Sequence, residues 1–186
     1  MNVFDFDGTI YDGDSSLDFW IFCLKKNPFL LRYFPSQLGG AILFKLKRIS
    51  KEDFKSRFFC FFAGISDIDS FVKEFWSKNE RKIKSWYLKM QKDDDLVISA
   101  SPDFLLSEIC NHLGIKNLLA TKVDKRSCEL LTKNCHGANK VVFFRERFGD
   151  VQLNSFYTDS KSDEPMAKIA NHAFLVKGEK IYKWEL

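Results

Sequence analysis

Apolar residues change their spacing more than once along this chain. Residues 2–6, NVFDF, form a short apolar run broken at once by Gly8 and Thr9, the pattern of a strand entering a tight turn. From about residue 15 to 90 apolar side chains recur at helical spacing. Leu17, Trp20, Ile21 and Leu24 come first, then Phe54, Phe58, Phe61 and Phe62, then Phe71, Phe75, Ile83, Trp86 and Tyr87. Pro28, Pro35 and Gly39-Gly40 punctuate the region, so several helices separated by turns are expected. The spacing then changes. LVIS after the charged turn DDD reads as a buried parallel strand, and PDFLLSEICNHLG as a helix opened by Pro102 and closed by Gly114. LLATKV and CELLTKN around DKRS predict a hairpin. GANKVVFFRERFG predicts a helix ending at Gly149, NSFYTD a strand, PMAKIANH a helix and AFLV a last strand.

Strands alternating with helices predict an α/β fold, a doubly wound Rossmann-like parallel sheet. The helical stretch between the first and second strands is too long for a simple crossover. The expected organisation is therefore a core of residues 1–14 and 81–186 with a helical cap inserted at 15–80.

Composition adds a compartment and a charge asymmetry. Five cysteines without paired spacing read as reduced thiols. The opening MNVFDFDG has acids where a signal peptide has a basic segment, and no run of about 18 apolar residues occurs. The expectation is a cytoplasmic protein. Residues 25–57 hold nine basic and two acidic residues, a local +7 within a chain of net +4, which points to an anionic partner.

The candidate chemistry lies where predicted strands end. Asp5 and Asp7 stand two residues apart in DFDGT, with Gly8 permitting the turn and Thr9 able to bond its backbone. One carboxylate can attack phosphorus while the other handles the leaving-group proton. Such an attack on an anion needs a cation, and Asp159 and Asp163 in DSKSD supply oxygen ligands suited to magnesium. Alone, that pair reads more often as a loop or a helix cap; DFDGT upstream reverses the balance. Ser99 ends the second strand. Its hydroxyl and the following N–H at Ala100 can hold phosphate oxygens, while Ser101 is expected to cap the next helix. Lys140 at a helix start can neutralise the transferring group. His112, His136 and His172 show no metal spacing.

DFDGT, the serine of VISAS, the lysine of GANK and DSKSD occur in the order and approximate separations of the four motifs of the haloacid dehalogenase superfamily, which this sequence resembles. The resemblance implies Asp5 as nucleophile and Asp7 as general acid/base. It implies Mg2+ held by Asp5, the Asp7 carbonyl and Asp159, with Asp163 in support. The insertion after the first motif resembles the cap of the phosphoserine phosphatase-like branch, where Asp14 matches a substrate-facing acid. The fourth motif departs from GDGxND. DSKSDEP, the early Asn-Pro and the basic aromatic segment are more similar to the phosphatidylglycerophosphatase C-like group.

A magnesium-dependent phosphomonoester hydrolase is the reading that follows, with a phosphorylated small molecule or a lipid head group as partner and no nucleic acid. A lipid phosphate such as phosphatidylglycerophosphate is preferred, with peripheral membrane contact through the basic aromatic cap at the inner face. Phosphoserine or another small metabolite is the alternative, and a non-catalytic phosphate-binding protein is a third reading.

Overall fold

The computed structural model describes all residues 1–186. Six strands form one sheet in the order β3-β2-β1-β4-β5-β6. These are β1 (Asn2–Phe4), β2 (Leu96–Pro102), β3 (Asn117–Thr121), β4 (Leu153–Thr158), β5 (Ala170–Lys177) and β6 (Lys180–Lys183). The first five are mutually parallel and β6 is antiparallel. Between β1 and β2 lie α1 (Ser15–Lys26), a 3-10 turn (Pro28–Tyr33), α2 (Phe34–Lys45), α3 (Lys51–Phe59), α4 (Ile68–Asn79) and α5 (Ser85–Met90). α6 (Asp103–His112) follows β2, α7 (Ala138–Phe148) precedes β4, and α8 (Glu164–Ala167) precedes β5. The expected doubly wound α/β fold is present.

Alternation along the strands explains the two layers. Val3, Leu96, Ile98 and Phe156 face one side, with Phe144 of α7 and Met166 of α8. Phe4, Val97 and Tyr157 face the other, in an apolar cluster that also holds Phe19, Phe61, Phe62, Phe75 and Leu106. Phe4, Tyr157 and Phe174 stack across β1, β4 and β5 with ring centroids 4.7 Å apart at each step. Trp76 of α4 donates from Nε1 to the carbonyl of Leu105 at 2.6 Å, tying the helical block to α6. All five cysteines are free thiols.

Several local expectations are corrected. On α1 the buried stripe is Ser15, Phe19 and Cys23, while Leu17 and Ile21 are exposed. The hairpin after β3 reduces to one antiparallel bridge, Val123 with Leu130, around a turn in which Asp124 accepts from the amides of Arg126 and Ser127. The helix at PMAKIANH stops at Ala167. Residues from Ala170 pair with β4, Leu153 opposite Ala170 and Ser155 opposite His172, because sheet hydrogen bonds outweigh helical propensity there. AFLV is not the last strand, because Gly178 at φ +57° turns the chain back from β5 into the antiparallel β6.

Candidate active site

The strand order reverses between β1 and β4, and ligands of open parallel sheets bind beyond the carboxyl ends at such a point. A cleft of about 610 Å³ opens there, lined by Asp5, Asp7, Asp14, Ser99, Ala100, Ser101, Lys140, Asp159 and Asp163. Every predicted site residue therefore reaches one cavity, drawn from stretches far apart in the chain.

Asp5 follows β1 directly, and its amide continues the ladder by donating to the Tyr157 carbonyl at 2.8 Å. Its Oδ1 accepts from the Phe6 amide at 2.8 Å and lies 2.8 Å from Lys140 Nζ. Its Oδ2 has only a 3.5 Å contact from the Thr158 hydroxyl, leaving it the less engaged oxygen. Lys140 sits in the first turn of α7 and pairs with Asp163 Oδ2 at 2.6 Å. Asp163 also accepts from the Thr158 hydroxyl at 2.9 Å and the Gly137 amide at 3.2 Å. Both its oxygens are thus engaged by donors of the chain. Gly137 at φ +56° makes the turn that aims its N–H at Asp163.

Two carboxylates sharing one buried ammonium leave an excess of negative charge. Burial, outweighing the attraction of Lys140 and reinforced by Asp163 and Asp7, pushes the Asp5 carboxyl up to about 7. Burial pulls Lys140 down, but Asp5 and Asp163 together hold it above its ordinary range. Removing Lys140 would cost about 3–5 kcal/mol, because the two buried carboxylates it joins would be left uncompensated.

Asp7 is held by other neighbours. Its Oδ1 accepts from the Ser15 amide at the start of α1 at 2.7 Å, a position where the helix dipole favours negative charge. Its Oδ2 accepts from Ser101 Oγ at 2.5 Å. Burial and then the charge of Asp14 push Asp7 up to about 6, against the Ser101 and Ser15 hydrogen bonds. Ser101 does not cap α6 as expected, since Pro102 occupies that place without a side-chain bond. Ser99 Oγ accepts from the Ser101 amide at 3.1 Å. Asp14 is exposed at the cleft and caps α1, accepting from the Leu17 amide at 2.9 Å. Thr9, expected to bond the turn, is fully buried with an unpartnered hydroxyl.

A hard cation fits this donor set. Asp5 is buried with more negative than positive charge around it. Asp159 lies directly over Gly8, where a Cβ would come within 2.2 Å of its Oδ2. Gly8, at φ +70°, is the residue that leaves room for a carboxylate there. No three Asp, Glu, His or Cys side chains form a ready-made cage. Magnesium needs none, since it commonly takes one or two carboxylates and keeps several waters.

Sequence reasoning missed several cleft residues. Lys55 of α3 donates to the Ala100 carbonyl at 2.6 Å and to Asn134 Oδ1 at 2.8 Å, joining the helical block to the end of β2. Lys51, one turn earlier, also lines the cleft; the Ser50–Asp53 capping box sets where this helix starts. His136 reaches the cleft and its Nε2 lies 3.2 Å from Ser162 Oγ. Helical spacing was the available signal for Lys51 and Lys55, four residues apart; His136 had none.

Carboxylates and a buried lysine gather beyond the ends of a parallel sheet, at its switch point, where α/β enzymes place their active sites. Residues 3–168 match the haloacid dehalogenase-like hydrolases, and the chain belongs to that family. It is 28% identical over 100 residues to a histidinol-phosphatase of Neisseria meningitidis, covering 47% of this chain and 45% of that protein; the match thus spans under half of the relative's length. A Bordetella pertussis protein of unknown function superposes with a TM-score of 0.75 at 17% identity, over 93% of this chain and 87% of that one. A phosphoserine phosphohydrolase-like protein of Francisella tularensis gives 0.61 at 19% identity, over 93% and 86%.

Proposed function

We propose that this protein is a magnesium-dependent phosphomonoester hydrolase in which Asp5 is the nucleophile. The observation that carries the reading is the buried chain Asp5–Lys140–Asp163 facing the same cleft as Asp7, with contacts of 2.8 and 2.6 Å. Asp5 attacks phosphorus and forms an acyl phosphate as the ester oxygen departs. Asp7, with its carboxyl pushed up to about 6, gives that oxygen its proton. In the second step Asp7 takes a proton from water, which attacks phosphorus, releases phosphate and restores the Asp5 carboxylate. Lys140 offsets charge on the nucleophile and the transferring group, and Asp163 positions Lys140. Ser99 and the Ala100 amide hold phosphate oxygens, and Asp14 faces the rest of the substrate. Asp5, Asp159 and the Asp7 carbonyl would hold Mg2+, with Asp163 supporting them. When bound, the ion neutralises charge on the phosphoryl oxygens and orients them.

Helices in residues 15–80 act as the cap that excludes water from the acyl phosphate. The substrate is a phosphorylated small molecule or a lipid head group. The basic aromatic stretch 25–57 favours the lipid and a peripheral contact with a membrane, with phosphoserine next. A pure phosphate-binding role has no use for an acid beside a nucleophile.

The test is hydrolysis of an aryl phosphate by purified wild type and Asp5→Asn. The variant should fold and lose activity by a factor on the order of a thousand or more, and excess chelator should silence the wild type. Near wild-type turnover in folded Asp5→Asn would sink the mechanism.

A further inference from the structure

α2 faces the wrong way for an ordinary surface helix. Such a helix turns an apolar stripe to the core and polar residues to water. Here the buried positions are Gln37 and Gly40. Gln37 Nε2 donates to the Phe58 carbonyl at 2.8 Å, and Gly40 rests on the Arg57 stem, where a Cβ would come to 3.0 Å. Phe34, Leu38 and Ile42, spaced by four, lie exposed in a row, Leu38 at 49% and Ile42 at 51%. The 3-10 turn before the helix adds Phe29, 83% exposed, and the helix end adds Leu46 at 62%. A contiguous row of large apolar side chains turned outward marks an interaction surface.

Charge says what covers it. From Phe19 to Lys51 the chain has seven basic residues and no acid. Arg32 lies at one end of the apolar row, and Lys45, Lys47 and Arg48 at the other. None of these four forms an ion pair. Apolar side chains flanked by unpaired cations suit the interface of an anionic bilayer, where the chains enter the acyl boundary and the cations meet phosphates. At 12 residues the helix rises about 18 Å, and no helix of the protein is long and apolar enough to cross a membrane.

The same face leads to the cleft. Phe34 stacks with Trp20, which packs on Phe58, and exposed Phe44 stacks on Phe54 at 5.2 Å. Phe54 and Phe58 both line the cleft. Apolar contact thus continues from the outer surface of α2 to the wall beside Asp5 and Asp7.

We propose that residues 28–48 dock peripherally on an anionic lipid surface and bring the cleft to head groups held there. As a statement about substrate delivery this rests on the phosphohydrolase reading. The test is cosedimentation of the full chain with vesicles of phosphatidylcholine alone, and of phosphatidylcholine and phosphatidylglycerol in equal parts. Wild type pellets with the mixed vesicles, less so at high salt. Leu38→Glu with Ile42→Glu lowers the bound-to-free ratio about tenfold or more, with melting temperature and aryl phosphate hydrolysis unchanged, since neither side chain lines the cleft. Lys45→Glu with Arg48→Glu weakens binding from the electrostatic side. Wild type that stays in the supernatant at low salt overturns the proposal, as does a Leu38→Glu, Ile42→Glu variant that pellets like wild type. So does a wild-type dimer in light scattering that this variant dissolves, for then a second copy covers the face. Vesicle binding is read without turnover. Active Asp5→Asn would remove the nucleophile reading and leave docking standing, and failed pelleting with intact hydrolysis would do the reverse.

Discussion

Ser101 and Asp7 stand 94 residues apart in sequence, yet the serine hydroxyl donates to Asp7 Oδ2 at 2.5 Å. Ser15 and Ser16 hydroxyls lie 3.2 and 3.0 Å from the same Ser101 oxygen. The end of β2 and the start of α1 thus hold the proposed acid from two sides.

Ser101→Ala removes that grip without adding bulk. The protein should stay folded while kcat/KM falls about tenfold to a hundredfold for alkyl phosphates. Aryl phosphates, which leave with little proton assistance, should lose much less. Steady-state kinetics on a leaving-group series checks this, and equal losses across the series would argue that Ser101 does not act through Asp7.

Gly8 supports Asp159 by absence of a side chain. Gly8→Ala must strain a left-handed residue, about 1–2 kcal/mol, and must displace the Asp159 carboxylate. Expected are a lower melting temperature and a magnesium requirement raised in the same direction as in Asp159→Ala. A Gly8→Ala enzyme with the wild-type magnesium titration would refute the part given to Asp159.

Lys55 predicts a pH effect on stability. Burial, with Lys51 adding to it, lowers the Lys55 ammonium from 10.5 to about 8. Below pH 8 both folded and unfolded chains hold the proton, and the folded protein bears the full cost of burying it. Between about 8 and 10.5 the unfolded chain binds more protons, so this residue makes stability rise with pH, by at most about 1.4 kcal/mol per unit. Denaturant midpoints of wild type and Lys55→Met from pH 7 to 10 test it. Wild type should gain on the variant as pH climbs; a loss would contradict the assignment.

Much of this was legible in the chain itself, for local reasons. DFDGT holds its carboxylates and its turn glycine within five residues, so local geometry alone dictates their proximity. Apolar period and end signals defined β2, α6 and α7, whose hydrogen bonds are mostly internal or serve one buried run. Where the partner was distant, sequence failed. Ser101 looked like a helix cap because only the fold brings Asp7 to it. PMAKIANH looked helical because its pairing partner, β4, lies outside any local window. Leu17 and Ile21 looked buried because a helical stripe shows spacing but not which side meets the core. The sequence by itself determined the residue types of the site and the alternation that builds a parallel sheet, since both rest on neighbours along the chain. The tertiary structure alone decided that Lys140 sits between Asp5 and Asp163, that Lys55 reaches the end of β2, and that α2 turns its apolar side outward, since each depends on contacts between residues remote in sequence.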